Sequence, residues 1–141
     1  MNIELLKNLV DYGVIFLLIF MSFISVLFFI ERLLFYRKLD INKYKSEKAL
    51  EIALTKHLTT IGTIASNSPY IGLLGTVLAI MLTFMTMSEG DIVATQIMSS
   101  FALALKATAV GLVVAIVSMI FYNILSRYAE VKIIEYENKE V

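Results

Sequence analysis

The chain has 141 residues, 59% of them hydrophobic and 17% charged, against about 45–50% and about 25% in soluble domains. That balance, with a mean hydropathy of +0.82, excludes a water-soluble globular domain and a disordered chain and points to an integral membrane protein. Twelve basic residues offset twelve acidic ones, so no basic field invites nucleic acid; the absence of cysteine and the single histidine, His57, exclude disulfides, a thiolate nucleophile and a histidine metal cluster within one chain.

Residues 12–30 form the first charge-free run, 19 positions long, close to the roughly 20 that a helix needs to cross about 30 Å of hydrocarbon. It follows Glu4 and Asp11 and continues into Glu31-Arg32 with no cleavage-site pattern, so it reads as a retained span rather than a signal peptide. Residues 61–88 are charge-free over 28 positions, interrupted only by Ser68-Pro69. A second span is expected over 69–88, with the proline marking a helix start or a kink. After the acidic turn 89–91, the chain is apolar to position 126 except for Lys106. A third span is expected over 107–126, and one long helix is expected to include the stretch before it, which holds no proline or glycine before Gly111.

Seven lysines and arginines lie in segment 31–60, three in the tail 127–141 and none in the turn 89–91. The positive-inside rule therefore places the N-terminus in the periplasm and the C-terminus in the cytoplasm. Leu50, Leu54, Leu58 and Ile61 recur at helical spacing, so the spans are expected to continue as cytoplasmic helices. The whole chain, 1–141, reads as one all-α membrane domain with no room for a soluble domain. His57, among Thr55, Lys56 and Thr59, reads as a solvated side chain without a role.

Small and hydroxylic residues recur at Gly62, Ala65, Pro69, Gly72, Thr76, Ala79, Thr83 and Thr86, and again at Ala104, Thr108, Gly111, Ala115 and Ser118, with Tyr122 following. Spacings alternating between three and four put each set on one helix face. Gly72, Gly75, Ala79, Ala104, Gly111, Ala115 and Ser118 suit close helix packing, which in lipid depends on small residues rather than on a hydrophobic drive. Thr76, Thr83, Thr86 and Thr108 suit two roles: lining a shared polar interior for an ion path, or bonding their own helix carbonyls four residues back. No Asp or Glu lies inside a proposed span, although proton and sodium paths use titrating carboxylates. If ions move, a partner must bring that group. Lys106 either snorkels to the periplasmic surface or pairs with a partner carboxylate; on a helical wheel it lies about 200° from Thr108, off any narrow face the threonine shares. No catalytic, metal or cofactor motif is present, so neither an enzyme nor a cofactor protein is expected.

Two stretches, Ser68-Pro69-Tyr70-Ile71-Gly72-Leu73-Leu74-Gly75-Thr76-Val77-Leu78-Ala79-Ile80-Met81 and Ala104-Leu105-Lys106-Ala107-Thr108-Ala109-Val110-Gly111-Leu112-Val113-Val114-Ala115-Ile116 with Tyr122-Asn123, resemble the second- and third-span signatures of the MotA/TolQ/ExbB proton-channel family. The three-span layout resembles its ExbB branch more than TolQ or the four-span MotA. The resemblance implies a homo-oligomeric ring, a pentamer, in the bacterial inner membrane around an ExbD-like single-span partner that supplies a membrane aspartate. It also implies use of the proton motive force to energise a TonB-like protein for uptake across the outer membrane. Its pore threonines correspond to Thr76 and Thr108. The chain departs from the pattern at Leu103, where the family commonly has glutamate, so a relay there is not implied. It departs again at Lys106, in place of an apolar residue, and at Ala79 and Val117, in place of a glycine and a proline.

Overall fold

The computed structural model describes residues 2–90 and 93–140. Asp91 of the acidic turn lies outside them. Helix α1 spans Ile3–Arg37, α2 Glu47–Thr55, α3 Leu58–Glu89 and α4 Ala94–Glu140, with a 3-10 turn at Ile41–Lys43 between α1 and α2. No strand occurs among the described residues. Three of the helices, α1, α3 and α4, are long and apolar enough to cross a membrane. At 47 residues and 1.5 Å per residue, α4 is about 70 Å long and extends well beyond a bilayer core.

Local chemistry sets the helix ends. Asn2 caps α1 by accepting from the Glu4 amide, and Arg37 sits in the last turn, where a cation meets the negative end of the helix dipole. Ser46 caps α2 by accepting from the Ala49 amide at 3.1 Å. The helical spacing of Leu50, Leu54, Leu58 and Ile61 is present, and all four are buried, but they lie on two helices instead of one. The break falls at His57, which adopts the left-handed region at φ 70° and stacks on Phe28 with ring centroids 4.1 Å apart. His57 is thus half-buried at a corner, not a freely solvated side chain.

Pro69 does not start a helix, because α3 begins eleven residues earlier. Its missing N–H removes one ladder bond. In the turn before it, Ser66 and Asn67 donate to the carbonyls of Gly62 and Thr63 at 2.7 and 2.8 Å, and Ser68 donates to that of Ile64. These bonds reach the carbonyls of the turn next to that of Ala65, the one the proline leaves without its ladder donor.

The register of the bundle is readable from its cross-helix pairs. Contacts between α1 and α4 join residues whose numbers differ by 92 or 93: Lys7 with Ser100, Ser25 with Ser118, Phe29 with Phe121 and Tyr36 with Tyr128. A constant difference means that the two helices run parallel. Between α3 and α4 the sum stays nearly constant instead, as for Thr76 with Thr108, Phe84 with Phe101 and Gly62 with Tyr122. That pair is antiparallel. On this register residues 12–30 of α1 lie beside about 104–123 of α4 and about 59–78 of α3. The expected second span, 69–88, lies within α3, whose charge-free run extends back to Leu58.

Leu18, Ile64 and Val114 form a core between the three long helices. Leu50, Leu54, Leu58, Ile61, Leu125 and Ala129 form a larger core under α2. Beyond the smaller core, further from α2, α3 and α4 meet backbone to backbone. A Cβ on Gly72 would stand 2.6 Å from the Ala107 carbonyl oxygen, and one on Gly111 2.6 Å from that of Ser68. Gly75 meets Val14 of α1, where a Cβ would lie 2.8 Å from a methyl carbon.

Gly111→Ala should cost about 1–3 kcal/mol, because backbone rather than a movable side chain blocks the added methyl. Gly13, with nothing within 4 Å of an added Cβ, should accept alanine with unchanged or slightly raised stability. Thermal unfolding of the purified protein in detergent checks the contrast.

Candidate functional site

The seam between α3 and α4 brings Thr76 and Thr108 together. Their hydroxyl oxygens are 2.5 Å apart, and Thr76 also reaches the Ala104 carbonyl at 2.8 Å. Each hydroxyl has one proton. The arrangement that puts a proton in both short contacts has Thr108 donating to Thr76 and Thr76 donating to Ala104. The Gly72 carbonyl, 3.2 Å from Thr76 and 3.5 Å from Thr108, is the weaker alternative acceptor. Thr76 is 6% exposed, while Thr108 is half-buried. Ala79 and Ala104 are each 1% exposed, Ser118 is equally buried, and Ala115 and Gly111 are buried too. The hydroxyl pair thus lies in a channel of small side chains, where backbones are close enough for one threonine to reach the opposite helix.

Thr83 and Thr86 do not join the pair. They donate to their own helix carbonyls, Ala79 and Leu82, each at 2.8 Å. Both face a polar cleft near the α3–α4 turn, shared with Lys7 and Ser100, which bond each other at 2.8 Å. Lys106 is exposed on another face of α4 from Thr108 and borders a cleft against α1 with Leu103 and Asp11.

Several polar anchors had no signal in spacing alone. Ser25, 1% exposed in the middle of α1, bonds Ser118 at 2.8 Å; only the Ser118 half fell on a recognisable stripe. Arg32, 2% exposed, is bidentate to Glu31 with both contacts at 2.6 Å, donates to the Ala53 carbonyl at 2.7 Å and lies 4.3 Å from the Phe35 ring centre. The Tyr36 hydroxyl donates to the Leu54 carbonyl at 2.5 Å. Ala53 and Leu54 are in the last turn of α2, whose carbonyls have no partner within the helix. Two α1 side chains thus supply the C-terminal cap of α2. Burial pushes the Tyr36 phenol up to about 12. The hydrogen bond from Arg32 holds the Glu31 carboxyl below its ordinary value of 4.5, against a smaller opposing effect of burial.

Among the described residues no cluster of His, Cys, Asp or Glu is placed to hold a metal, and no buried side-chain polar atom lacks a partner. The site's chemistry is therefore that of hydroxyls and carbonyls.

Residues 28–138 match the MotA/TolQ/ExbB proton channel family. The chain is 51% identical over 135 residues to the biopolymer transport protein ExbB of Aquifex aeolicus, covering 95% of this chain and 91% of that protein. It is 47% identical over 131 residues to the ExbB of Helicobacter pylori strain J99, covering 92% and 90%. Similarity to the Tol-Pal system protein TolQ of Haemophilus influenzae is 39% over 87 residues, covering 56% of this chain and 38% of that protein.

Tyr36→Phe should loosen α2 by about 1–2 kcal/mol, since the Leu54 carbonyl loses its donor in a buried setting. Because the Glu31 value is lowered by folding, the stability from its pair with Arg32 is complete above 4.5 and is lost as pH falls through the depressed value. The protection factors of the α2 amides, referred to the intrinsic exchange rate at each pH, should therefore fall in acid in the native chain, with the Glu31-dependent part absent in Glu31→Gln.

Proposed function

The chain belongs to the MotA/TolQ/ExbB proton channel family, and from that premise we propose that it is the ring-forming stator subunit of an ExbB-type motor that energises a TonB-like protein. It is a multi-pass protein of the bacterial inner membrane and not an enzyme. In this reading the ring is homo-oligomeric, a pentamer, with the N-terminus periplasmic and the C-terminus cytoplasmic.

One observation carries the proposal: the Thr76–Thr108 hydroxyl pair in a small-residue seam of a chain with no carboxylate between 58 and 88 or between 94 and 126. Hydroxyls can accept and donate, so they can solvate a carboxylate or pass a proton, but they do not titrate near neutral pH. A membrane aspartate on an ExbD-like single-span partner completes the site. When it is ionised, the hydroxyls of Thr108 and Thr76 turn to donate to it; when it is protonated, they return to each other and to the Ala104 carbonyl. Each state is satisfied inside hydrocarbon, where an unmet polar group is costly. Thr83 and Thr86 extend the polar lining towards the periplasmic end. Gly72, Gly75, Ala79, Ala104, Gly111, Ala115 and Ser118 hold the helices close enough for the pair to form.

The inward-facing bonds of the pair favour a second reading, a passive scaffold in which both threonines only pack α3 against α4. TolQ-like service is a nearer alternative within the family, supported by the shorter match.

Thr76→Val and Thr108→Val keep shape but delete the hydroxyl, a change that is not neutral where a polar guest must be solvated. The expected outcome is an intact ring of unchanged native mass with energised uptake reduced at least about tenfold, the equivalent of about 1.4 kcal/mol. Uptake and ring stability falling in parallel would support the scaffold instead, and normal uptake in both variants would remove the threonines from the mechanism.

A further inference from the structure

The cleft between α1 and α4 near Lys106 holds two charges of opposite sign that are not in direct contact with each other. Asp11 lies half-buried on α1, and Lys106 lies exposed on α4. Both line one cleft of about 230 Å³ together with Asn8, Tyr12, Ile15 and Leu103. Among the described residues neither side chain takes part in an ion pair within 4.0 Å or in a hydrogen bond. The nearest cation to influence Asp11 is Lys7, one turn earlier on the same helix, and its ammonium is bonded to Ser100.

The parallel register fixes the depth of the cleft. With a difference of 92 or 93 between paired residues, Asp11 is level with about residue 104 of α4, less than one turn from Lys106. Both charges therefore stand at one height, directly before the charge-free runs 12–30 and 107–126. That height is a hydrocarbon boundary, and Tyr12, 76% exposed, is a residue type enriched there. Below the charges the cleft is apolar: Ile15 lies one turn further along α1, level with Ala107, which borders it on α4.

We propose that this cleft binds the headgroup of a zwitterionic membrane lipid, a phosphoethanolamine. The lipid phosphate meets the Lys106 ammonium and the lipid ammonium donates to the Asp11 carboxylate, so both charges are paired at the boundary. The Asn8 amide and the Tyr12 hydroxyl border the headgroup, while Ile15 and Ala107 receive the glycerol and the first methylenes. A choline headgroup carries no N–H to donate to Asp11, and a glycerol headgroup brings no cation at all. The amine is what the acidic side of the cleft selects.

The test is native mass spectrometry of the detergent-extracted assembly with its co-purifying subunits, titrated in turn with palmitoyl-oleoyl phosphatidylethanolamine, phosphatidylcholine and phosphatidylglycerol. The expected result is retention of phosphatidylethanolamine about tenfold stronger than of the other two, loss of that preference in Asp11→Asn, and weaker retention of all three lipids in Lys106→Gln, since each carries the phosphate that the ammonium meets. Equal retention of the three lipids overturns the proposal, as does unchanged retention in the variants. Shedding of a protein subunit by Lys106→Gln also overturns it, because the anion facing Lys106 would then be a partner's carboxylate. If a variant fails to assemble, the preference of the native chain among the three lipids decides alone.

Discussion

The contact between Gly72 and Gly111 is the constraint on which the rest of the molecule rests. In hydrocarbon no solvent drives apolar helices together, so association depends on how closely two backbones can come. Here a single added methyl on either helix would collide with the other's carbonyl oxygen. Only at that separation can the Thr76 side chain reach both Thr108 and the Ala104 carbonyl across the seam. Packing and polarity are thus one design: small residues bring the helices together, and closeness makes short hydroxyl bonds.

At the far end of the bundle the structure meets a different problem, how to end a short helix against membrane helices. Helix α2 has nine residues, too few to be stable alone in water. It is held by its buried leucines and by Arg32 and Tyr36 reaching its last-turn carbonyls. The guanidinium is enclosed but not unmet, since Glu31 engages two of its nitrogens and the Ala53 carbonyl a third. Removing one partner from such a set would leave a charge or a carbonyl stranded, so the group is tolerable only as a whole.

How much of this was legible beforehand depends on what kind of signal each feature leaves. The three long helices follow from charge-free runs, and the family match from the paired signatures around Thr76 and Thr108. Spacing also put Leu50, Leu54, Leu58 and Ile61 on a helical face, but not the corner at His57, because the left-handed turn there is held by a long-range ring contact with Phe28 that no local pattern encodes. The depth of α3 in the bundle was hidden for a related reason: a uniform run such as 61–88 has no marker, and only contacts with α1 and α4 set its register. Ser25 and Lys7 were silent because their partners lie 93 residues away.

The regular offset between α1 and α4 has a mechanical consequence. Polar links join α1 to α4 at Ser100, Ser118 and Tyr128, over most of the length of α1. Sliding one helix past the other by a single turn would break every link at once, with no neighbouring donor in phase to replace it. The two helices therefore behave as one stiff shaft in torsion. A twist applied near Ser100 would be carried along α1 and α4 together as far as Tyr128.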